Sequence, residues 1–170
     1  MIGRPQENEA APYYFTYINQ ATGDDPLALI EGQLDESVEF LSKISEEKSL
    51  HRYAPDKWSI RQVLNHLTDT ERSFAFRVLW FARGFGAPLP SYDQTIAADG
   101  AEADKVPWLA HVEEFRRVRL ATISLFRNLP EEAWMRNGIA SDNRFTVRAL
   151  AFIIAGHVTH HLEIVRTRYL

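Results

Sequence analysis

The sequence predicts an all-α fold, a four-helix bundle, on three observations. Four segments of about 20 residues or more carry apolar side chains at helical spacing, their starts carry capping or proline signals, and no stretch shows a convincing strand alternation of apolar and polar residues. The first helix follows Asp25, a capping residue, with Pro26 at the first helical position. Leu27, Ile30, Leu34, Val38, Leu41 and Ile44 then recur on one face to about residue 45. WSIRQV announces the second helix: Ser59 can cap, Gln62 completes a capping box and Trp58 can staple onto Val63. Val63, Leu67, Phe74, Val78 and Phe81 carry it toward Gly84. A loop rich in glycine, proline and acidic residues, GFGAPLPSYDQTIAADGAEADKV, precedes a third helix that begins near Pro107, continues through Val112, Phe115, Ile123 and Phe126, and stops before Pro130. After the loop NGIASDNR the fourth helix starts at Thr146 and runs nearly to the C-terminus.

The connections are about 13, 22 and 17 residues long, and even the shortest could span a helix of about 30 Å when extended, so long crossover loops are allowed. Residues 1–170 are expected to form one domain, with residues 1–12 a flexible tail. APYYFTYINQ, with three tyrosines and a phenylalanine, is too aromatic for a loose segment and should pack along the bundle or against another subunit.

Composition narrows the function. Of 170 residues, 45% are hydrophobic and 25% charged, the balance of a soluble globular protein with a substantial core. A net charge of −4 and the lack of any Lys/Arg-rich tract argue against nucleic acid as a partner. The absence of cysteine removes disulfides, thiolate metal ligands and a cysteine nucleophile, so any metal must take nitrogen or oxygen ligands. MIGRPQENEAAP has no hydrophobic signal region and no apolar run is long enough to span a bilayer, so a cytoplasmic protein without a membrane partner is expected.

The histidines carry the chemistry. GHVTHHLEIV places three of the chain's six within five positions of the last helix. At about 100° per residue, His157 and His161 point into the apolar stripe and His160 swings to its edge. WSIR at 58–61 and FTVR at 145–148 share an aromatic residue, a hydroxyl cap, a β-branched residue and an arginine, and each opens a helix that bears histidine. Counted from the caps Ser59 and Thr146, the positions of His66, His157 and His161 differ by about one turn each and fall in a related angular sector. Three imidazoles suit a divalent metal such as zinc or nickel, and three protein ligands leave a coordination position for water, the mark of a catalytic rather than a closed site.

KWSIRQVLNHLTDTERSF and TVRALAFIIAGHVTHHLEIV, spaced as they are, resemble the DinB/YfiT-like superfamily of metal-binding four-helix bundles over Tyr13 to Leu170. The resemblance implies an up-up-down-down bundle, a nickel or zinc ion held by His66, His157 and His161, a homodimer, and an activity among metal-dependent hydrolases or thiol-dependent transferases and isomerases. With no cysteine in the chain, a low-molecular-weight thiol would have to come from outside.

Glu71 lies in the apolar sector about one turn beyond His66 and is expected either to pair with a buried Arg77 or Arg148 or to serve as a general base or metal-shell ligand. Asp69 and Thr70 could orient His66, though solvated roles are expected of them. His160, His111 and His51 read as peripheral. Tyr92 and Asp93, on the long loop, are expected near the mouth of the substrate pocket. The expected function is a metalloprotein acting on a small molecule by hydrolysis or thiol transfer; the alternative is a non-catalytic, metal-stabilised or ligand-binding bundle. A di-iron carboxylate bundle is disfavoured because no Glu-x-x-His occurs.

Overall fold

Local capping chemistry starts three of the four long helices at the residues that signal them. The computed structural model describes residues 2–170. A 3-10 turn at Pro12–Tyr14 leads into the short helix α1 (Phe15–Ile18), formed by the aromatic segment. Helix α2 (Pro26–Ser42) follows, with the Asp25 carboxylate accepting from the backbone N–H groups of Leu27 and Ala28. Helix α3 (Ile60–Ala82) opens on the full capping box: Ser59 Oγ accepts from Gln62 N and Gln62 Oε1 accepts from Ser59 N. The long loop holds a helix that the sequence reading missed, α4 (Gln94–Ala101), capped by Asp93, with Ala98 its buried residue. Helix α5 (Trp108–Arg127) follows Pro107.

NGIASDNR, expected as a loop, is part of a hairpin in which β1 (Asn137–Ala140) pairs antiparallel with β2 (Asn143–Thr146). Ser141 and Asp142 form its tip with φ of 51° and 59°, the left-handed pair that a two-residue hairpin turn demands. Four-residue strands with a Ser-Asp turn, where Asn-Gly would signal one, leave little for a period-2 pattern to show. Helix α6 (Val147–Ile164) follows, capped by Thr146, and ends in a π-type turn at Val165–Tyr169.

The four long helices bundle as α2, α3, α5 and α6, and each of the first two packs on each of the last two. The expected up-up-down-down order is corrected by their end-to-end pairings. Trp108 at the start of α5 donates to Leu41 O at the end of α2, while Arg127 at the end of α5 pairs with Glu31, so α5 runs against α2. Arg61 reaches Val106 O and Arg72 reaches Glu114, so α5 runs along α3. Tyr169 meets Trp58, and Arg77 meets Ser141, so α6 runs against α3. The order is up-down-down-up. Only the α3–α5 connection must travel the bundle's length, which is why it is the longest.

Helix α6 is buried without a break from Ala149 to Val158, on all faces rather than along one stripe. The extra cover comes from α1, which packs against it. A Cβ on Gly156 would stand 1.9 Å from Tyr17 O, so glycine permits this approach. The expectation of a flexible tail is corrected as well: from residue 2 onward the segment is tied down. Arg4 donates to the carbonyls of Ile18 and Gly23, Glu9 accepts from Thr146 Oγ1 at 2.7 Å and pairs with Arg148, and Ala10 is buried. Met1 lies outside the described residues. No described helix is long and apolar enough to cross a membrane.

Candidate metal centre

Antiparallel packing of α3 on α6 brings the second turn of one helix to the middle of the other, and there three imidazoles meet. His66, His157 and His161 each offer a nitrogen, and these atoms all lie within 4.8 Å of one another. His66 Nε2 faces His157 Nε2 at 3.2 Å. Thr70, one turn after His66, places its hydroxyl 3.3 Å from His66 Nδ1; accepting from an Nδ1–H there leaves the Nε2 lone pair aimed at the cluster. Trp58 packs on the His66 ring, and Tyr17 and Phe74 present their rings at right angles to His157. Trp58 thus does more than staple a helix.

Burial pushes all three imidazoles toward the neutral form. It lowers His66 to about 4 although Asp69 pulls the other way, and lowers His161 to about 3 with the charges of His66 and His160 adding to the effect. His157 goes well below its ordinary value, by burial first and then by the neighbouring histidines. Three neutral nitrogen donors converging without a carboxylate among them are a set that fits a borderline divalent cation.

A pH prediction follows. His66 and His161 bind protons less readily folded than unfolded, so between their ordinary value near 6.5 and about 4 the unfolded chain takes up more protons. Stability of the metal-stripped protein should therefore be full above pH 6.5 and fall progressively toward pH 4. Thermal melts across this range check it, and a His66→Asn, His161→Asn double variant should flatten the fall; an unchanged slope would argue against titration at these residues.

Beside the cluster lies a cavity of about 120 Å³, its walls including His66, His157, Thr70, Phe74, Arg77, Tyr17, Tyr92 and Ser141. Tyr92 is thus brought to the cavity, whereas Asp93 is turned to the cap of α4 and does not line it. Tyr17 and Ser141 were not singled out in the sequence; no local pattern marks a residue that reaches the site from another element. Arg77 carried a signal, since it lies about three turns after His66 on the same face of α3.

The other expected residues fall as follows. His160 stays out of the cluster, its Nδ1 3.1 Å from Gln20 Nε2. His51 is exposed, but His111, read as peripheral, is buried with Nε2 2.9 Å from Ala103 O. Asp69 accepts from Asn65 and pairs with Arg72. Glu71 is corrected on two counts: its partner is Arg119 of α5, at 2.8 Å, not Arg77 or Arg148, and its carboxylate neither lines the cavity nor joins the three histidines. Burial pushes that carboxyl up against the lowering pull of Arg119.

The fold and this site together define a class: a small helical bundle that gathers three imidazoles between two antiparallel helices, next to a cavity. Residues 29–165 match the profile of the DinB superfamily, and the chain belongs to that superfamily. YfiT from Bacillus subtilis, described as a probable metal-dependent hydrolase with an unusual four-helix bundle topology, superposes with a TM-score of 0.71 at 16% identity over 95% of this chain and 91% of that one. A mycothiol-dependent maleylpyruvate isomerase superposes with TM-scores of 0.66 for a mutant and 0.65 for another structure of that enzyme, at 13% identity over 81% of this chain. This chain covers 58% of the isomerase. At these identities the likeness is one of fold. No curated protein sequence matches the chain.

Proposed function

We propose that His66, His157 and His161 hold one divalent cation, nickel or zinc, and that the protein is an enzyme acting on a small molecule by hydrolysis or by transfer involving an external thiol. The observation that carries this reading is the convergence of three neutral imidazoles, two of which, His66 and His157, line a cavity. Belonging to a superfamily whose fold is shared by a protein described as a probable metal-dependent hydrolase and by a mycothiol-dependent isomerase supports it. Bound there, the cation would supply Lewis acidity, making a water or thiol nucleophilic near neutral pH. The chain's own part is positional: Thr70 orients His66, Phe74 and Trp58 exclude water from the imidazoles, and Tyr17 and Tyr92 bring phenol groups to the cavity wall. With no cysteine to compete, a thiol substrate comes from outside.

Metal analysis of protein purified without an affinity tag tests the proposal. About one equivalent per chain is expected, with a loss of at least about tenfold in affinity for His157→Ala. Azide or a small thiol should perturb the visible spectrum of the cobalt-substituted protein. Wild-type protein that retains no added nickel, zinc or cobalt through dialysis would overturn the reading, and a spectrum indifferent to every added ligand would leave the cation without a catalytic role.

A further inference from the structure

Arg77 is a buried cation that the metal reading does not use. Its side chain belongs to a residue only 4% exposed, yet it lines the cavity that His66 and His157 share. The other two buried arginines each have a carboxylate: Arg61 pairs with Glu46 and Arg119 with Glu71. Among the described residues Arg77 makes no ion pair. Its one side-chain hydrogen bond among the described residues is from Nη2 to Ser141 Oγ, at 2.9 Å. A guanidinium has five N–H donors, all directed outward in its plane, and burying its charge without an anion is unfavourable.

The ring centroids of Phe74 and Phe145 lie 5.5 and 5.8 Å from the guanidinium carbon. Cation–π contact supplies no acceptor for its N–H edge. An apolar side chain would fill the same space beside two phenylalanines without the cost of desolvating a charge, so packing alone does not account for an arginine. Ser141 adds a second polar group: from the hairpin tip, where the turn sets its backbone, its side chain lines the same cavity and its hydroxyl accepts from Arg77.

We propose that Arg77, with Ser141 beside it, anchors the carboxylate of the small molecule that enters the cavity next to the histidines. A planar carboxylate can take two N–H donors of the guanidinium side by side and supplies the missing counter-charge. The proposal deepens the reading of the same site as an enzyme for small molecules by naming the chemical class it takes: short-chain carboxylic acids, recognised at the end away from the reacting centre.

The test is binding of propionate against propionamide, followed by the NMR shift of the Arg77 Nε–H signal and by calorimetry, on metal-loaded and on metal-stripped protein. Propionate should bind at least about tenfold more tightly than the amide in both forms. Arg77→Gln should erase that ratio while leaving metal content and amide affinity unchanged, and Arg77→Lys should recover part of it as a point charge. Equal affinity for acid and amide, binding of neither, a preference for inorganic phosphate, or an acid affinity that survives Arg77→Gln would each overturn the proposal. Should Arg77→Gln fail to fold, the ratio is read on Arg77→Lys, where full retention of bidentate affinity would overturn it. Failure of the wild type to hold metal would count against the metal reading alone, because the acid-to-amide ratio is read on stripped protein too.

Discussion

Gly156→Ala is expected to destabilise the protein by about 3 kcal/mol or more, a large overpacking effect. Helix propensity alone predicts the opposite sign: alanine in a helix interior is favoured over glycine by about 1 kcal/mol. The close approach decides. An added Cβ would meet the oxygen of Tyr17 at 1.9 Å and its carbonyl carbon at 2.5 Å, and backbone atoms cannot swing aside as a side-chain end can. Either α1 lifts from α6 or α6 bends. In both cases Tyr17 leaves the face of His157, where it now packs edge-on. The melting temperature should fall by about 6–12 °C for a chain of this size, and the cavity wall should loosen with it. An unchanged or raised melting temperature would show that the α1–α6 contact is not as close as described.

Arg119→Met alone should cost about 3–5 kcal/mol, because it leaves Glu71 charged and buried without its partner. Arg119 is 0% exposed and Glu71 3%, so solvent does not soften the loss. The pair is also poorly satisfied: Nη2 and Oε2 stand 2.8 Å apart without hydrogen-bond geometry, and the guanidinium's Nε and Nη1 find no partner among the described residues. Combining Arg119→Met with Glu71→Leu should therefore restore stability to within about 1 kcal/mol of wild type, or above it, since the two desolvation costs vanish together. Denaturant unfolding of the two single variants and the double variant measures this. A double variant as unstable as Arg119→Met would mean that the ion pair supplies net stability that packing cannot replace.

The helix starts were legible because a cap acts over three residues. Asp25 reaches Leu27 and Ala28, Ser59 reaches Gln62, and Thr146 reaches Ala149, so each device is complete within the local sequence. The histidine cluster was legible for a related reason: phase along a helix is periodic, and two helices with inward histidines at matching depth can share a point. Fainter signals failed where elements were short. The residues of α4 bury little beyond Ala98, and the hairpin strands are four residues each, too brief for periodicity to separate from loop composition.

Which way each helix runs was decided by tertiary structure alone. Connections long enough to cross the bundle permit several orders, and the choice came from contacts distant in sequence, such as Trp108 with Leu41 and Tyr169 with Trp58. Glu71 illustrates the same limit. Its position in the apolar sector of α3 determined that it would be buried and would need a partner, with Arg77 and Arg148 the expected ones, but the packing of α5 along α3 supplied Arg119 instead. Arg148 was meanwhile drawn off by Glu9 from a segment expected to be loose, and Arg77 was left facing the cavity. For the apolar stripes and Glu71 the sequence determined which side chains leave water, because that depends on periodicity within one helix; which of them meet was settled by the three-dimensional packing, because burial makes a charge need a partner without specifying which one.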